Sequence, residues 1–251
     1  MKNLSVIVIT KNEEKNISRC LNSIKDLADE IVIVDSGSTD NTLKVVRKYT
    51  SKNFFRKWSD DYAAQKNYAI SKASGNWILS LDADEQVPLS LVAEIKDFFN
   101  LKKEKKYSGM WLSRKNIVYG RWLKHGDCGP DYQLRFFQKK DAYLQRAVHE
   151  TVVVNGPVGF LKQPIIHYSY KTIKAFIQQI HKYIDIEVKI FIQEKKKAFI
   201  WQIFAYPIAK FLKVYIFKKG FLDGWYGLID AGLRAYYSFL KRFKYYKIAK
   251  K

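Results

Sequence analysis

Residues 77–85, WILSLDADE, are the stretch that decides the fold. An apolar run of strand length ends abruptly in the carboxylates Asp82, Asp84 and Glu85. Hydrophobic residues bury a strand, whereas a carboxylate tolerates burial only with a partner. Asp82 and Asp84 stand two apart beside the small Ala83, a spacing that can present two oxygen ligands to one divalent ion. Taken alone, the pattern also fits a solvated strand end.

The residues upstream alternate between strand and helix patterns. β-rich runs at 4–9 and 31–34, and a shorter one at Phe54 and Phe55, alternate with segments of helical spacing that include 63–73. This alternation predicts an α/β fold with a mostly parallel sheet flanked by helices. Ligands bind such sheets at the carboxyl ends of strands, where Asp35 and Asp82 both fall. Asn12 is expected to cap the first helix.

The pattern changes after a predicted helix at 89–100. Segments 109–114, 132–138 and 143–154 have strand composition, and helical periodicity returns near Thr172 and lasts to the end. We therefore predict two domains, an α/β domain at 1–169 and a helical, basic, aromatic-rich extension at 170–251.

The overall composition restricts the partners and the compartment. The chain carries a formal charge of +21 over 251 residues, which favours an anionic partner such as nucleic acid, acidic lipid or a phosphorylated substrate. Two cysteines argue against a disulfide framework and fit a reducing compartment. The first residues run straight into a strand-like segment without the apolar length of a signal peptide, so we expect cytoplasmic retention.

Four motifs at or near predicted strand ends occur in a characteristic order. They are VITKNE at 8–13, DSGSTD at 35–40, AQKN at 64–67 and DADE at 82–85. Their order and spacing resemble the GT-A domain of family 2 glycosyltransferases, and the resemblance covers about residues 4–90. It implies a GT-A fold that binds a nucleotide-sugar, with no P-loop to hold the phosphates.

The resemblance assigns roles in binding the nucleotide-sugar. Asp35 would accept a hydrogen bond from the imide N–H of the base, and Thr10 and Glu13 would contact the nucleoside. Lys66 would add positive charge near the diphosphate, although a solvated helix lysine fits its position equally.

The resemblance also implies a divalent cation, Mg²⁺ or Mn²⁺, that bridges the diphosphate as a Lewis acid. Asp84 would ligate it directly. Asp82 would give a supporting contact to the metal or touch the ribose and nearby waters.

The second half narrows the resemblance. The segments DYQLRFF at 131–137, RAVHE at 146–150 and IIHYS at 165–169 resemble the lipopolysaccharide-core branch of the family, which contains β-1,4-glucosyltransferases. Inverting transfer needs a base for the acceptor hydroxyl, and the candidates are Glu150, which we prefer, and Asp131. His149 would orient Glu150 or bind a phosphate.

Two further residues of this half have alternative roles. Arg135 would hold a phosphate of the donor or acceptor, or pair with a structural carboxylate. His167 is a candidate contact to the metal or to a phosphate.

The tail combines apolar residues at helical spacing with lysines. Residues 198–217 are as long as a membrane span but include Pro207, Lys210 and Lys213, which disfavours spanning. An amphipathic helix lying on an anionic membrane surface fits better. A core helix or a dimer contact is the alternative.

The sequence thus predicts a metal-dependent inverting glycosyltransferase on the inner face of the cytoplasmic membrane. It would move glucose from a UDP-sugar to a lipid-anchored acceptor such as the lipopolysaccharide inner core. An alternative acceptor is polyprenyl phosphate or a capsule intermediate. A basic nucleic-acid-binding protein is the remote alternative, but it leaves the four motifs unexplained, so we expect no nucleic-acid partner. Donor sugar and oligomeric state stay open.

Overall fold

The computed structural model describes residues 3–145, 151–194 and 196–250, apart from the side chain of Lys182. Its first third follows the predicted alternation of strands and helices. The elements are β1 (Leu4–Thr10), α1 (Ile17–Ile24), β2 (Glu30–Asp35), α2 (Thr42–Val46), β3 (Asn53–Phe55), α3 (Tyr62–Lys72) and β4 (Trp77–Asp82). The predicted mostly parallel sheet flanked by helices is confirmed.

The register of this sheet aligns the carboxyl ends of its strands. β1 pairs in parallel with β2, with Thr10 opposite Asp35. β1 also pairs in parallel with β4, with Ile9 opposite Asp82. The two strand-end aspartates therefore flank β1 at one edge of the sheet, as the sequence predicts.

The following segment adds antiparallel strands. Its elements are β5 (Glu85–Gln86), α4 (Leu89–Asn100), β6 (Gly109–Val118), β7 (Arg121–Trp122), β8 (Tyr132–Gln138), β9 (Ala142–Gln145), β10 (Thr151–Val154), β11 (Val158–Phe160) and β12 (Ile165–Tyr168). β8 lies antiparallel between β4 and β6, and the strand order is β3-β2-β1-β4-β8-β6-β12-β5. The sheet is therefore mixed beyond β4.

Both faces of the parallel strands are covered, which explains why they are apolar throughout. Val6 and Val8 of β1 pack on one face, and Ile7 packs on the other. Trp77 of β4 packs against Phe136 of β8 in a tilted arrangement, with ring centroids 4.5 Å apart, within a larger aromatic cluster. Packing on both sides thus fixes the position of β1 between the two layers.

The C-terminal part is helical, as predicted. It contains α5 (Ile173–Gln193), α6 (Gln202–Leu212), a π-helical turn (Lys213–Phe217) and α7 (Gly224–Ala249). Phe176, Ile180 and Ile184 of α5 pack against Leu233 and Tyr237 of α7. The predicted helix at 198–217 is shorter and changes to π-helical geometry after Leu212. Within the residues described, no helix combines the length and the apolarity that crossing a membrane requires.

The chain folds into two compact units that interleave in sequence. The first contains Met1–Arg114 and Tyr132–His167, and the second contains Lys115–Asp131 and Tyr168–Lys251. The second unit thus includes an insertion from the first half of the chain. The domain boundary after residue 169 stays a prediction.

A buried carboxylate ties the amino end of β2 to its surroundings. Glu30 is buried and accepts hydrogen bonds from the Ser5 hydroxyl, from the backbone and side chain of Ser74, and from the Lys52 ammonium. Burial alone would raise the pKa of Glu30, but these hydrogen bonds outweigh it and lower the pKa to about 2. The charged carboxylate therefore stabilises the folded state.

We expect Glu30→Gln to lower the free energy of unfolding at pH 7 by about 2 kcal/mol. Because the folded pKa lies below the unfolded value, the contribution of this carboxylate is lost as the pH falls from about 4.5 towards 2. Urea unfolding at pH 7 and pH 3 measures the free energy of unfolding of the unchanged protein and of Glu30→Gln. The difference between the two free energies should shrink at pH 3. A gap that stays constant with pH would contradict this role of the charge.

Candidate active site

The loop after β2 wraps around the carboxylate of Asp35. The backbone N–H groups of Gly37 and Ser38 donate to Asp35 Oδ2 over 2.8 and 2.9 Å, and the Ser38 hydroxyl donates to Oδ1. Gly37 has a φ of 92°, which a residue without Cβ adopts at little cost. The loop is therefore held in one conformation around a buried, charged acceptor.

Asn12 connects this loop to the end of β1. The side-chain oxygen of Asn12 accepts a hydrogen bond from the backbone N–H of Thr39 over 2.8 Å. The backbone N–H of Asn12 donates to the Ser38 hydroxyl. The expectation that Asn12 caps α1 is wrong, because the helix begins later and Asn16 holds the cap position. The side chain of Asn12 instead joins two strand-end loops.

The other predicted nucleoside contacts on this edge are Thr10 and Glu13. Thr10 is buried, and within the described part of the chain its hydroxyl oxygen has no hydrogen-bond partner. Glu13 is half-buried, and its carboxylate accepts from the Asn16 amide over 2.9 Å. A buried hydroxyl rarely lacks a partner, so Thr10 fits a position that a ligand completes.

Asp82 at the end of β4 forms ion pairs with two cations. Its Oδ1 lies 2.8 Å from Lys66 Nζ on α3, and its Oδ2 lies 2.6 Å from an Arg135 guanidinium nitrogen on β8. The Lys66 side chain is only 1% exposed, which rules out the solvated helix lysine considered from the sequence. Burial would raise the pKa of Asp82, but Arg135 and Lys66 outweigh it and hold the pKa well below its usual range.

Glu85 fixes the turn that follows Asp82. It is fully buried, and its Oε2 accepts a 2.9 Å hydrogen bond from the backbone N–H of Asp82. Its Oε1 lies 3.4 Å from Arg135 and 3.5 Å from Arg114. The sequence analysis assigns no role to Glu85 or Arg114. The signal that could have found them is that Glu85, a third carboxylate beside a buried strand, needs a cationic partner.

Asp84 lies on the same turn and faces a histidine from a distant strand. β5 pairs antiparallel with β12, with His167 opposite Glu85. His167 Nε2 lies 3.4 Å from Asp84 Oδ2. Burial lowers the pKa of His167, but the hydrogen bond and charge of Asp84 outweigh it, and the net effect raises the pKa above its ordinary value.

The donor set at this turn fits a divalent ion that a substrate helps to hold. Asp84 offers carboxylate oxygens and His167 an imidazole nitrogen, while both oxygens of Asp82 contact cations. Among the residues that the structure describes, no three or more Asp, Glu, His or Cys side chains are grouped to hold a metal. Mg²⁺ and Mn²⁺ sites commonly use one or two protein ligands together with substrate phosphates.

The polar residues around Lys66 hold α3 to its neighbours. The buried Gln65 donates from its amide to the Ser36 hydroxyl over 2.7 Å. Asn67 bonds both the N–H and the carbonyl of Leu144 on β9, over 2.9 and 2.8 Å. The AQKN segment is thus a structural link between the strand-end loops as well as the source of Lys66.

Three predicted residues are not among the described residues of the first compact unit. Glu150 and His149 lie outside the described residues. Asp131 belongs to the second compact unit, where the Asn116 side-chain nitrogen lies 3.4 Å from its Oδ2. The roles of these three residues stay predictions.

Residues 5–155 match the family described as Glycosyl transferase family 2, and the chain belongs to that family. The resemblance and the GT-A fold inferred from the four motifs are therefore confirmed.

Relatives and solved structures agree with this assignment. The chain is 28% identical to an uncharacterised glycosyltransferase of Rickettsia typhi, over 96% of this chain and 86% of that one. It is also 28% identical to the lipopolysaccharide core biosynthesis glycosyltransferase LpsC of Rhizobium meliloti, over 97% of this chain and 92% of that one. The crystal structure of Staphylococcus aureus TarS 1–349 shares the fold with a TM-score of 0.51 and 17% identity, covering 98% of this chain and 89% of that one.

We expect Asp82→Asn and Asp84→Asn to differ in stability. Asp82→Asn leaves the cations on Lys66 and Arg135 without their main counter-charge and should lower the free energy of unfolding by about 2–3 kcal/mol. Asp84→Asn removes one partly exposed contact and should cost less than about 1 kcal/mol. Urea unfolding of both variants measures the difference, and equal losses would contradict the anchoring role of Asp82.

Proposed function

We propose that this glycosyltransferase transfers a sugar, namely glucose, from a UDP-sugar to a lipid-linked acceptor such as the lipopolysaccharide inner core. The observation that carries the proposal is the rigid acidic turn at 82–85, which shares one sheet edge with Asp35 and Thr10. The name of LpsC supports the acceptor class. TarS has been crystallised with UDP, which supports the donor class, and that complex matches this chain with a TM-score of 0.50 and 18% identity.

The nucleoside would bind at the ends of β1 and β2. A carboxylate has about four lone-pair positions, and three hydrogen bonds from Gly37 and Ser38 leave Asp35 capacity for one more. The imide N–H of uracil would supply it. The Thr10 hydroxyl would gain its hydrogen bond from the nucleoside, and Glu13 would complete this contact.

The diphosphate would lie against the turn that follows β4. There, the three cations Lys66, Arg114 and Arg135 meet the two carboxylates Asp82 and Glu85. Asp84 lies on the same turn, so three carboxylates balance the three cations, and a divalent cation would supply the positive charge that an anionic diphosphate requires. Lys66 and Arg135 would lie near the diphosphate while they keep Asp82 ionised.

A divalent cation, Mg²⁺ or Mn²⁺, would neutralise charge on the leaving diphosphate as a Lewis acid. Asp84 would hold it directly, with His167 as a second protein contact and Asp82 in support. The ion pairs of Asp82 keep its carboxylate charged, and Glu85 fixes the backbone at the start of the turn that carries both aspartates.

The chemical step would be an in-line displacement at the anomeric carbon with inversion. The acceptor oxygen forms the new bond, the bond from the anomeric carbon to the diphosphate oxygen breaks, and the hydroxyl proton passes to a carboxylate base. We propose Glu150 as that base, oriented by His149, with Asp131 as the alternative.

A screen of nucleotide-sugars against the purified protein tests donor and metal together. UDP-glucose with Mn²⁺ or Mg²⁺ should raise the melting temperature, because a ligand that binds only the folded state stabilises it. Asp84→Asn should lower metal-dependent turnover by about 10²-fold or more. Asp97→Asn, which changes an exposed carboxylate on α4, is the matched control.

The acceptor is tested with the same protein. Transfer to a core oligosaccharide carrying lipid A, followed by NMR of the new anomeric centre, should give an inverted product. Transfer only to polyprenyl phosphate or a capsule intermediate would move the assignment to the alternative acceptor. Full turnover in EDTA would overturn the metal dependence.

We expect Glu150→Gln to lower kcat by about 10²–10⁴-fold, because a positioned base contributes that much to proton transfer. Calorimetric affinity for UDP should stay within a factor of about two to three of the unchanged protein. Asp131→Asn is the comparison. A large kcat loss in Asp131→Asn with normal turnover in Glu150→Gln would assign the base to Asp131.

A further inference from the structure

α6 and the turn after it expose a continuous series of large apolar side chains. Trp201, Phe204, Ile208 and Leu212 recur at intervals of three or four residues and are 55%, 63%, 60% and 38% exposed. Exposed residues continue through the π-helical turn to the start of α7. We define the apolar face as Trp201, Phe204, Ile208, Leu212, Ile216, Phe217, Phe221, Leu222 and Trp225.

This face is not the side of the helix that packs within the protein. The core-facing positions of the same segment are Ile203 and Val214, which are 5% and 1% exposed. α6 packs closely against α7. The segment therefore has a few apolar positions that are packed and a larger number that are exposed, which is typical of an interaction surface.

The lysines of this segment fall into two groups. Lys210 and Lys218 pair with Asp127 over 2.6 and 2.7 Å and anchor the segment to the loop before β8. Lys213 and Lys219 are exposed, and no ion pair to either is seen among the described residues. The sequence-based expectation that the lysines act together at a membrane is therefore sharpened to Lys213 and Lys219.

The charge of this segment favours an anionic bilayer over a second copy of the chain as the partner of the apolar face. Between Glu194 and Asp223 the chain has seven lysines and no acidic residue, and three of the lysines, Lys196, Lys210 and Lys218, are paired with carboxylates. The exposed Lys213 and Lys219 have no such ion pair among the described residues. A symmetric contact with a second copy would bring these like charges together. An anionic bilayer surface would instead attract them, and its interfacial zone accommodates Trp, Phe and Leu side chains beside lysines.

We propose that the apolar face docks on the surface of a bilayer that contains anionic lipids. Trp201, Phe204 and Ile208 enter the boundary between headgroups and acyl chains, while Lys213 and Lys219 contact lipid phosphates. The inference rests on residues 201–225 and stands independently of the donor, the metal and the acceptor.

Sedimentation with vesicles tests the proposal on the full chain. The unchanged protein should bind vesicles of phosphatidylcholine mixed with phosphatidylglycerol. Phe204→Asp with Ile208→Asp should lower the partition coefficient at least about tenfold, because two apolar side chains that would enter the bilayer interface are lost. Leu89→Asp with Leu101→Asp, at exposed apolar positions of the first compact unit, is the matched control and should bind normally.

Lys213→Glu with Lys219→Glu provides a second variant that leaves buried positions untouched. It should weaken binding to the anionic vesicles about tenfold and reduce the dependence on salt. Both double variants should keep the UDP affinity of the unchanged protein. Failure of the docking proposal can therefore be distinguished from failure of the proposed function.

Three results would overturn the docking proposal. One is normal vesicle binding by the Phe204→Asp, Ile208→Asp protein. Another is equal binding of the unchanged protein to pure phosphatidylcholine, which would remove the role of anionic lipid. The third is an unchanged protein that does not bind vesicles and is a dimer in sedimentation velocity, while the Phe204→Asp, Ile208→Asp protein is a monomer. That result would assign the apolar face to a second copy of the chain.

Discussion

The ion pairs of Asp82 with Lys66 and Arg135 are the interaction on which the site depends. They join β4, α3 and β8, three elements that are distant in sequence, at the carboxyl end of one strand. Removing two cations from water is costly unless a carboxylate compensates them. The network therefore specifies one arrangement of these elements, and Glu85 extends it to the backbone of the acidic turn.

The other half of the sheet edge is organised by hydrogen bonds from neutral donors. Asp35 is the acceptor at the centre of its loop, and Asn12 joins that loop to β1. Gln65 links the loop to α3, the helix that also carries Lys66. Polar groups that are almost fully paired inside a protein hold a fixed geometry. The buried Thr10 hydroxyl at this edge has no partner within the described ranges, which supports the proposed contact with the nucleoside.

In the second compact unit, some lysines form ion pairs within the fold and others face solvent. Asp127 holds Lys210 and Lys218 within the fold, and Arg234 lies 3.6 Å from the same carboxylate. Lys213 and Lys219 lie in the same segment and face solvent. Composition alone does not separate an anchoring lysine from one that is available to a partner, because the difference is the position of a single carboxylate.

The sequence by itself determined the strand–helix order, the parallel strands and the placement of Asp35 and Asp82 at one edge of the sheet. These follow from local periodicity and from the geometry that parallel strands impose. Only the tertiary structure decided the partners: Lys66 as a buried cation, Glu85 and Arg114 in the network, and His167 beside Asp84. Those contacts join residues that are distant in sequence, and no local pattern records which distant side chain will supply a counter-charge. Likewise, the helical spacing of the tail predicted apolar sides, but packing against α7 decided which of them stayed exposed.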